Sequence, residues 1–268
     1  MQPVMSNPDI IKQLNTKIRQ LQRPQSKPDS EFHGTLTGIE AFDALLPAGG
    51  LSGGTLIEWL SPKGGGGSTL ATILAARLLE RGDTARSSVL VVIDTNLEFY
   101  PPALPQLGIA LNQVVLIRPA HIGEAIWAFE QSLRCSGVTI TMAWIEHLAD
   151  QTYRRLQLAT EAGGGAGFLI RSQRYQRQRS WADARFLVTP CPGPGAYTPG
   201  SNESAVSFPK ASNGAEGAAF RRLNVQLLHC RGRIDGGGVQ LEINNETGDV
   251  HLASRLASTK AQPRKARA

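Results

Sequence analysis

Apolar positions along this chain follow two rhythms that take turns. Continuous or two-residue apolar runs mark strands, and three-to-four-residue spacing marks helices. Residues 54–60 (GTLIEWL) read as a strand, and Leu70, Ile73, Leu74 and Leu78 place a helix over 69–79. The run SVLVVID at 88–94 is continuously apolar from Val89 to Ile93, as expected of a strand buried on both faces. Further strands are predicted at 114–117, 138–145 and 168–170, with helices over 122–135 and 150–162 between them. Asp150 caps the last of these helices, and the glycine run 163–165 stops it. This order predicts an α/β fold, a mostly parallel sheet with helices on both faces. Three later runs, 184–188, 222–228 and 238–243, read as appended antiparallel strands, with a turn at 245–248.

The flanks differ from this core. Ile10, Ile11, Leu14, Ile18 and Leu21 share a helical face, and Pro24 and Pro28 follow them. Residues 1–33 are therefore expected to be a helix and linker, and 34–252 the core. Residues 190–219 are rich in Pro, Gly, Ser and Ala and are expected to be a disordered insertion. The tail 253–268 is basic and is expected to be disordered. The net charge of +6 gathers at the two ends and leaves the middle of the chain slightly acidic. Such ends attract phosphate backbones without reading sequence, or simply keep the chain soluble. No apolar run approaches the roughly 18 residues of a membrane span, and no signal-peptide core is visible. Cys135, Cys191 and Cys230 form no C-x-x-C pair, so free thiols in a reducing cytoplasm are expected.

The segment SPKGGGGS at 61–68 joins a predicted strand to a predicted helix, the setting of a phosphate-binding loop. On the pattern G-x-x-x-x-G-K-[ST], Ser61 takes the first glycine and Gly66 the second. Gly67 takes the lysine, and Ser68 supplies the hydroxyl. The lost lysine would have reached the β/γ-phosphates, and Lys63 inside the loop is a partial substitute. Ser61, Lys63, Gly64, Gly65, Gly66, Gly67, Ser68, Thr69 and Asp94 are the candidate nucleotide site, with ATP and Mg²⁺ as doubtful occupants. The loop is otherwise a structural relic. Asp94 and Glu146 end strands and Glu98 lies nearby, while Trp144 falls beside the loop.

The stretches 36–71 and 91–119 resemble RecA proteins: a GG-L before the strand and loop, then an acid-ended strand with L-G beyond it. The resemblance implies a RecA-like P-loop core. It also places the catalytic glutamate at Asn96, an amide that cannot orient water as a carboxylate does. The segments 153–171 (YRRLQLATEAGGGAGFLIR), 180–190 and 221–250 resemble the ImuA family of RecA-like accessory proteins more closely. That likeness implies DNA-damage-induced translesion synthesis and mutagenesis within the SOS response. The implied partners are an ImuB-type polymerase-like protein, an error-prone DnaE-type polymerase and RecA. The implied location is cytoplasmic, at the nucleoid when active.

By the same resemblance, residues 171–181 correspond to a RecA loop that touches single-stranded DNA. Arg171, Arg174, Arg177 and Arg179 offer phosphate contacts, and Tyr175 and Trp181 offer stacking faces. The plainer reading is a solvated basic turn. Two other functions stay open: a DNA-dependent ATPase or recombinase, and a SulA-type inhibitor of cell division. The N-terminal helix could bridge neighbours in a filament, meet a partner, or pack on its own core.

Overall fold

The computed structural model describes residues 35–47, 49–81, 88–191, 220–232, 236–245 and 247–256. The expected N-terminal helix, residues 192–219 of the expected insertion and the tail beyond 256 lie outside the described residues.

The core is one nine-stranded sheet in the order β3-β2-β4-β5-β1-β6-β7-β8-β9. Its strands are β1 (Leu56–Ser61), β2 (Leu90–Ile93), β3 (Val114–Ile117), β4 (Ile140–Trp144), β5 (Ala166–Ser172), β6 (Ala184–Cys191), β7 (Phe220–Cys230), β8 (Gly238–Asn244) and β9 (Val250–Leu256). The strands from β3 to β6 in this order pair in parallel, and β6 to β9 pair antiparallel. The expected α/β architecture with its antiparallel extension is therefore present. One strand exceeds the expectation. β9 occupies part of the segment read as tail, because its pattern VHLASRL is too polar to announce a strand.

The helices are α1 (Glu40–Asp43), α2 (Gly67–Arg81), α3 (Ile122–Arg134) and α4 (Asp150–Gly163). Side-chain alternation in the strands divides the core into two layers. Ile57 and Trp59 join Leu70 and Leu74 of α2, whereas Leu56 joins Phe129 of α3 and Leu156 of α4. Trp59 sits among Phe42, Phe168 and Phe186, with ring centroids 5.0–6.0 Å away. The α4 stop falls where expected: Gly164 caps it at φ +73°, and a side chain at Gly163 would strike the backbone of α3. Because β1, β2, β4 and β5 are parallel, their following loops emerge at one edge of the sheet. β1 also lies where the chain turns from filling one side of the sheet to filling the other, the usual place for a ligand crevice.

Candidate functional site

The phosphate loop keeps its shape. Gly64 and Gly66 hold φ of +72° and +88°, a region closed to most side chains. Gly65 N–H donates to Pro62 O at 2.8 Å, and Leu70 N–H to Gly66 O at 2.9 Å, so helical bonding starts directly from the loop. Loop and helix start border a cleft of about 420 Å³ that also meets Asn96, Glu98, Trp144, Glu146, Arg174 and Arg221.

Side chains at and around the loop differ from those of a P-loop enzyme at the lysine and metal positions. A P-loop enzyme holds Mg²⁺ through the loop Ser/Thr and an aspartate ending a neighbouring strand. At the end of β4 the residue facing Ser68 is Trp144, whose indole N–H donates to Ser68 Oγ at 3.2 Å. Phe99 packs on that indole at 5.7 Å, and Thr95 Oγ1 donates to Trp144 O at 2.8 Å. These contacts fix the ring. The residues present therefore do not fit a hydrated Mg²⁺ at Ser68.

Gly67 is more than a missing lysine. A Cβ at this position would lie 2.6 Å from Ser61 Oγ and 2.8 Å from Ser61 Cβ. The serine at the first glycine position thus occupies the root of the absent side chain. Lys63 also lines the cleft, but it is 95% exposed and faces Glu98 at 3.9 Å.

Asp94 lies elsewhere than the phosphate-site reading placed it. It is buried, accepts from the backbone N–H groups of Glu98 and Phe99 at 3.1 and 3.2 Å, and faces Arg118 at 3.7 Å. It caps the turn after β2 and does not line the cleft. Asn96 does line it, among the residues of the loop.

The basic segment divides in two. Arg171, expected to touch DNA, is instead buried at the end of β5 with no exposed side-chain surface. Its Nη1 meets Glu58 Oε1 at 2.7 Å, and its Nε and Nη2 donate to Glu146 O at 2.9 and 2.6 Å. Glu58 has a second partner in Arg185 of β6, through Arg185 Nε. Arg185 also donates to the carbonyls of Tyr175, Gln176 and Gln178 at 3.2–3.3 Å. The buried cluster Arg171–Glu58–Arg185 therefore holds the turn after β5 by its backbone. Arg171 and Arg174 both lie against the Tyr175 ring, at 4.5 and 4.9 Å from its centre. Arg177 and Arg179 are exposed, and no ion pair holds them among the described residues. Trp181 is 45% exposed, with Arg154 lying 5.1 Å over its ring.

Sequence reading missed Glu58, Arg185 and Arg221. Glu58 left one trace, a carboxylate in the middle of the apolar strand LIEWL. Burial raises the phenol pKa of Tyr153, which packs beside this cluster and accepts from Ser180 Oγ at 2.7 Å.

Comparison with known proteins fits this picture. No family-wide sequence profile matches the chain. It is 27% identical to the protein ImuA of Caulobacter vibrioides over 228 residues, 82% of this chain and 88% of that protein. It is 24% identical to RecA of Rickettsia africae over 143 residues, half of this chain and 40% of RecA. A third similarity, 34% over 70 residues, is to the cell division inhibitor SulA of Edwardsiella piscicida. That match spans 26% of this chain and 42% of SulA. Of these three, the ImuA alignment alone runs through most of both chains. The resemblance to the ImuA family holds. The RecA similarity agrees with the RecA-like order of loop, parallel strands and antiparallel extension. Among the described residues no helix is long and apolar enough to cross a membrane.

Proposed function

We propose that this chain is a RecA-like accessory protein of the DNA-damage response that works without hydrolysing ATP. The similarity to ImuA and RecA supports the setting, and the altered phosphate loop supports the absence of hydrolysis. The observation that carries the reading is the Trp144–Ser68 hydrogen bond, in the place where a metal would be held. Gly67 and Asn96 add the loss of the phosphate cation and of the water-orienting acid.

In this reading the chain is an adaptor. It brings an ImuB-type polymerase-like protein and an error-prone DnaE-type polymerase to damaged DNA, in translesion synthesis. The exposed residues Arg177, Arg179 and Trp181 form its contact with single-stranded DNA, on a turn already fixed from beneath. The test has two arms. The full chain, purified, is assayed for ATP hydrolysis with single-stranded DNA, and no stimulated turnover is expected. Turnover abolished by Ser68→Ala would establish the recombinase-type ATPase reading instead. The tagged chain is also recovered from damaged cells, and co-recovery of both polymerase-like proteins is expected.

The SulA similarity favours a second reading, inhibition of cell division. Overexpression in undamaged cells decides it: filamentation supports that reading, and normal division removes it.

A further inference from the structure

A loop that has lost its lysine and metal need not have lost its ligand. Three features of the cleft point the same way. Ser61 shuts position 67 to any side chain, so a cation cannot return there without a second change. Trp144 satisfies Ser68, so the hydroxyl is engaged without a metal. A different cation has been brought to the cleft on β7.

That cation is Arg221. In β7 the residues alternate between faces, and Leu223, Val225 and Leu227 all join the α2 layer. Leu223 packs so closely on the loop that a Cβ at Gly66 would meet it at 2.7 Å. Arg221, two residues before Leu223 on the same face, lines the cleft with the loop. Its neighbour Arg222 points the other way and pairs with Glu242 at 2.6 Å. Arg221 Nε is fully shielded from solvent and has no hydrogen-bond partner. Two acids also line the cleft, and each faces a cation of its own: Glu98 faces Lys63 at 3.9 Å and Glu146 faces Arg174 at 3.8 Å. No acid pairs with Arg221 among the described residues. The unbonded Nε marks a guanidinium whose hydrogen-bonding capacity the protein leaves partly unused.

We propose that the cleft is a metal-independent phosphate site, in which Arg221 replaces the lysine that Ser61 excludes from position 67. The loop N–H groups and the start of α2 supply the remaining donors. A guanidinium matches phosphate oxygens with two parallel hydrogen bonds and needs no metal to neutralise the contact. The phosphate can belong to a nucleic-acid backbone continuing from Arg177 and Arg179, or to a free nucleotide. The first of these sources rests on the DNA contact proposed above.

The test uses the full chain and two probes, a fluorescent single-stranded oligothymidylate and a fluorescent ATP analogue. Each is titrated with Mg²⁺ and again with EDTA. At least one probe is expected to bind equally well in both. Arg221→Ala should weaken that binding about tenfold, the usual scale of a charge-assisted hydrogen bond, and Arg221→Lys should recover part of it. Gly67→Lys alone should not tighten binding, whereas Ser61→Gly with Gly67→Lys should. Binding that needs Mg²⁺, binding indifferent to Arg221→Ala, or binding of neither probe would overturn the proposal. The two readings fail separately. If Arg177→Ala/Arg179→Ala leaves oligonucleotide binding intact, the turn is not the DNA contact, and an Arg221-dependent phosphate site still stands. If only the ATP analogue binds, the phosphate source is the free nucleotide.

Discussion

Two neighbouring structures at one edge of the sheet have been treated in opposite ways. The phosphate loop after β1 keeps its backbone and has exchanged its chemistry. The turn after β5 keeps charges suited to nucleic acid, yet two of the arginines at its base serve as framework. Conformation persists in the loop because glycines, strand and helix start fix it without any particular side chain. The β5 turn has the reverse dependence: its backbone is held by a side chain, through Arg185 on three of its carbonyls, while Arg171 ties the end of β5 to the segment after β4 through Glu146 O. A glycine-rich loop is thus poor evidence for catalysis, and a run of arginines is poor evidence for a binding surface, until burial assigns each one.

The largest effect that tests this contrast is loss of Glu58. Glu58→Leu leaves two buried guanidiniums without their carboxylate and should cost about 3–5 kcal/mol. In thermal unfolding that is a drop on the order of 10 °C. A loss under about 1 kcal/mol would mean that water or other groups already compensate the arginines.

Replacing the whole cluster sharpens the point. Glu58→Leu/Arg171→Met/Arg185→Leu removes every charge together, and apolar replacements of buried ion clusters are often neutral in stability. Stability near wild type with a disordered 173–178 turn, seen as faster amide exchange, is the expected result. An unchanged turn would show that the cluster does not set its geometry.

Arg177→Ala/Arg179→Ala should leave unfolding unchanged and weaken oligonucleotide binding. It should also lower the salt dependence of that binding by about 1.4 in log–log slope, at roughly 0.7 per phosphate contact on a single strand. The smallest effect concerns Asp183, which accepts from Leu56 N–H at 2.9 Å and faces Arg231 at 3.4 Å. Burial raises its carboxyl above the ordinary aspartate range. The raised group favours the fold most fully at low pH, and that contribution is lost as pH rises through its folded value. Asp183→Asn should flatten this part of the pH–stability profile, measured by urea unfolding.

What the sequence disclosed follows from range. Local patterns carried far: VLVVID announced a doubly buried strand, and the glycines at 163–165 announced the end of α4. The loop was legible because its signal lies within eight residues, and the absent lysine with it. Contacts across the sheet were not legible. Glu58 meets partners 113 and 127 residues away, and neither arginine differs locally from a solvated one. Arg171 was misassigned for that reason. Trp144 could be placed beside the loop, but its bond to Ser68 spans 76 residues. Arg221 looked like an ordinary residue at the start of a strand, because only the register of β7 beneath Gly66 brings it to the cleft.

The position of β1 has a consequence for how the chain is made. β1 pairs with β5 and β6 and with no other described strand. During synthesis it leaves the ribosome with both its hydrogen-bonding edges open. They stay open until more than a hundred further residues have emerged, since β5 begins at Ala166. Glu58 must remain hydrated over the same interval, because its two arginines arrive only with β5 and β6. The strand that bears the phosphate loop is therefore secured long after it is made. A chain stalled before β5 presents an unpaired strand to its neighbours, the condition under which nascent chains aggregate.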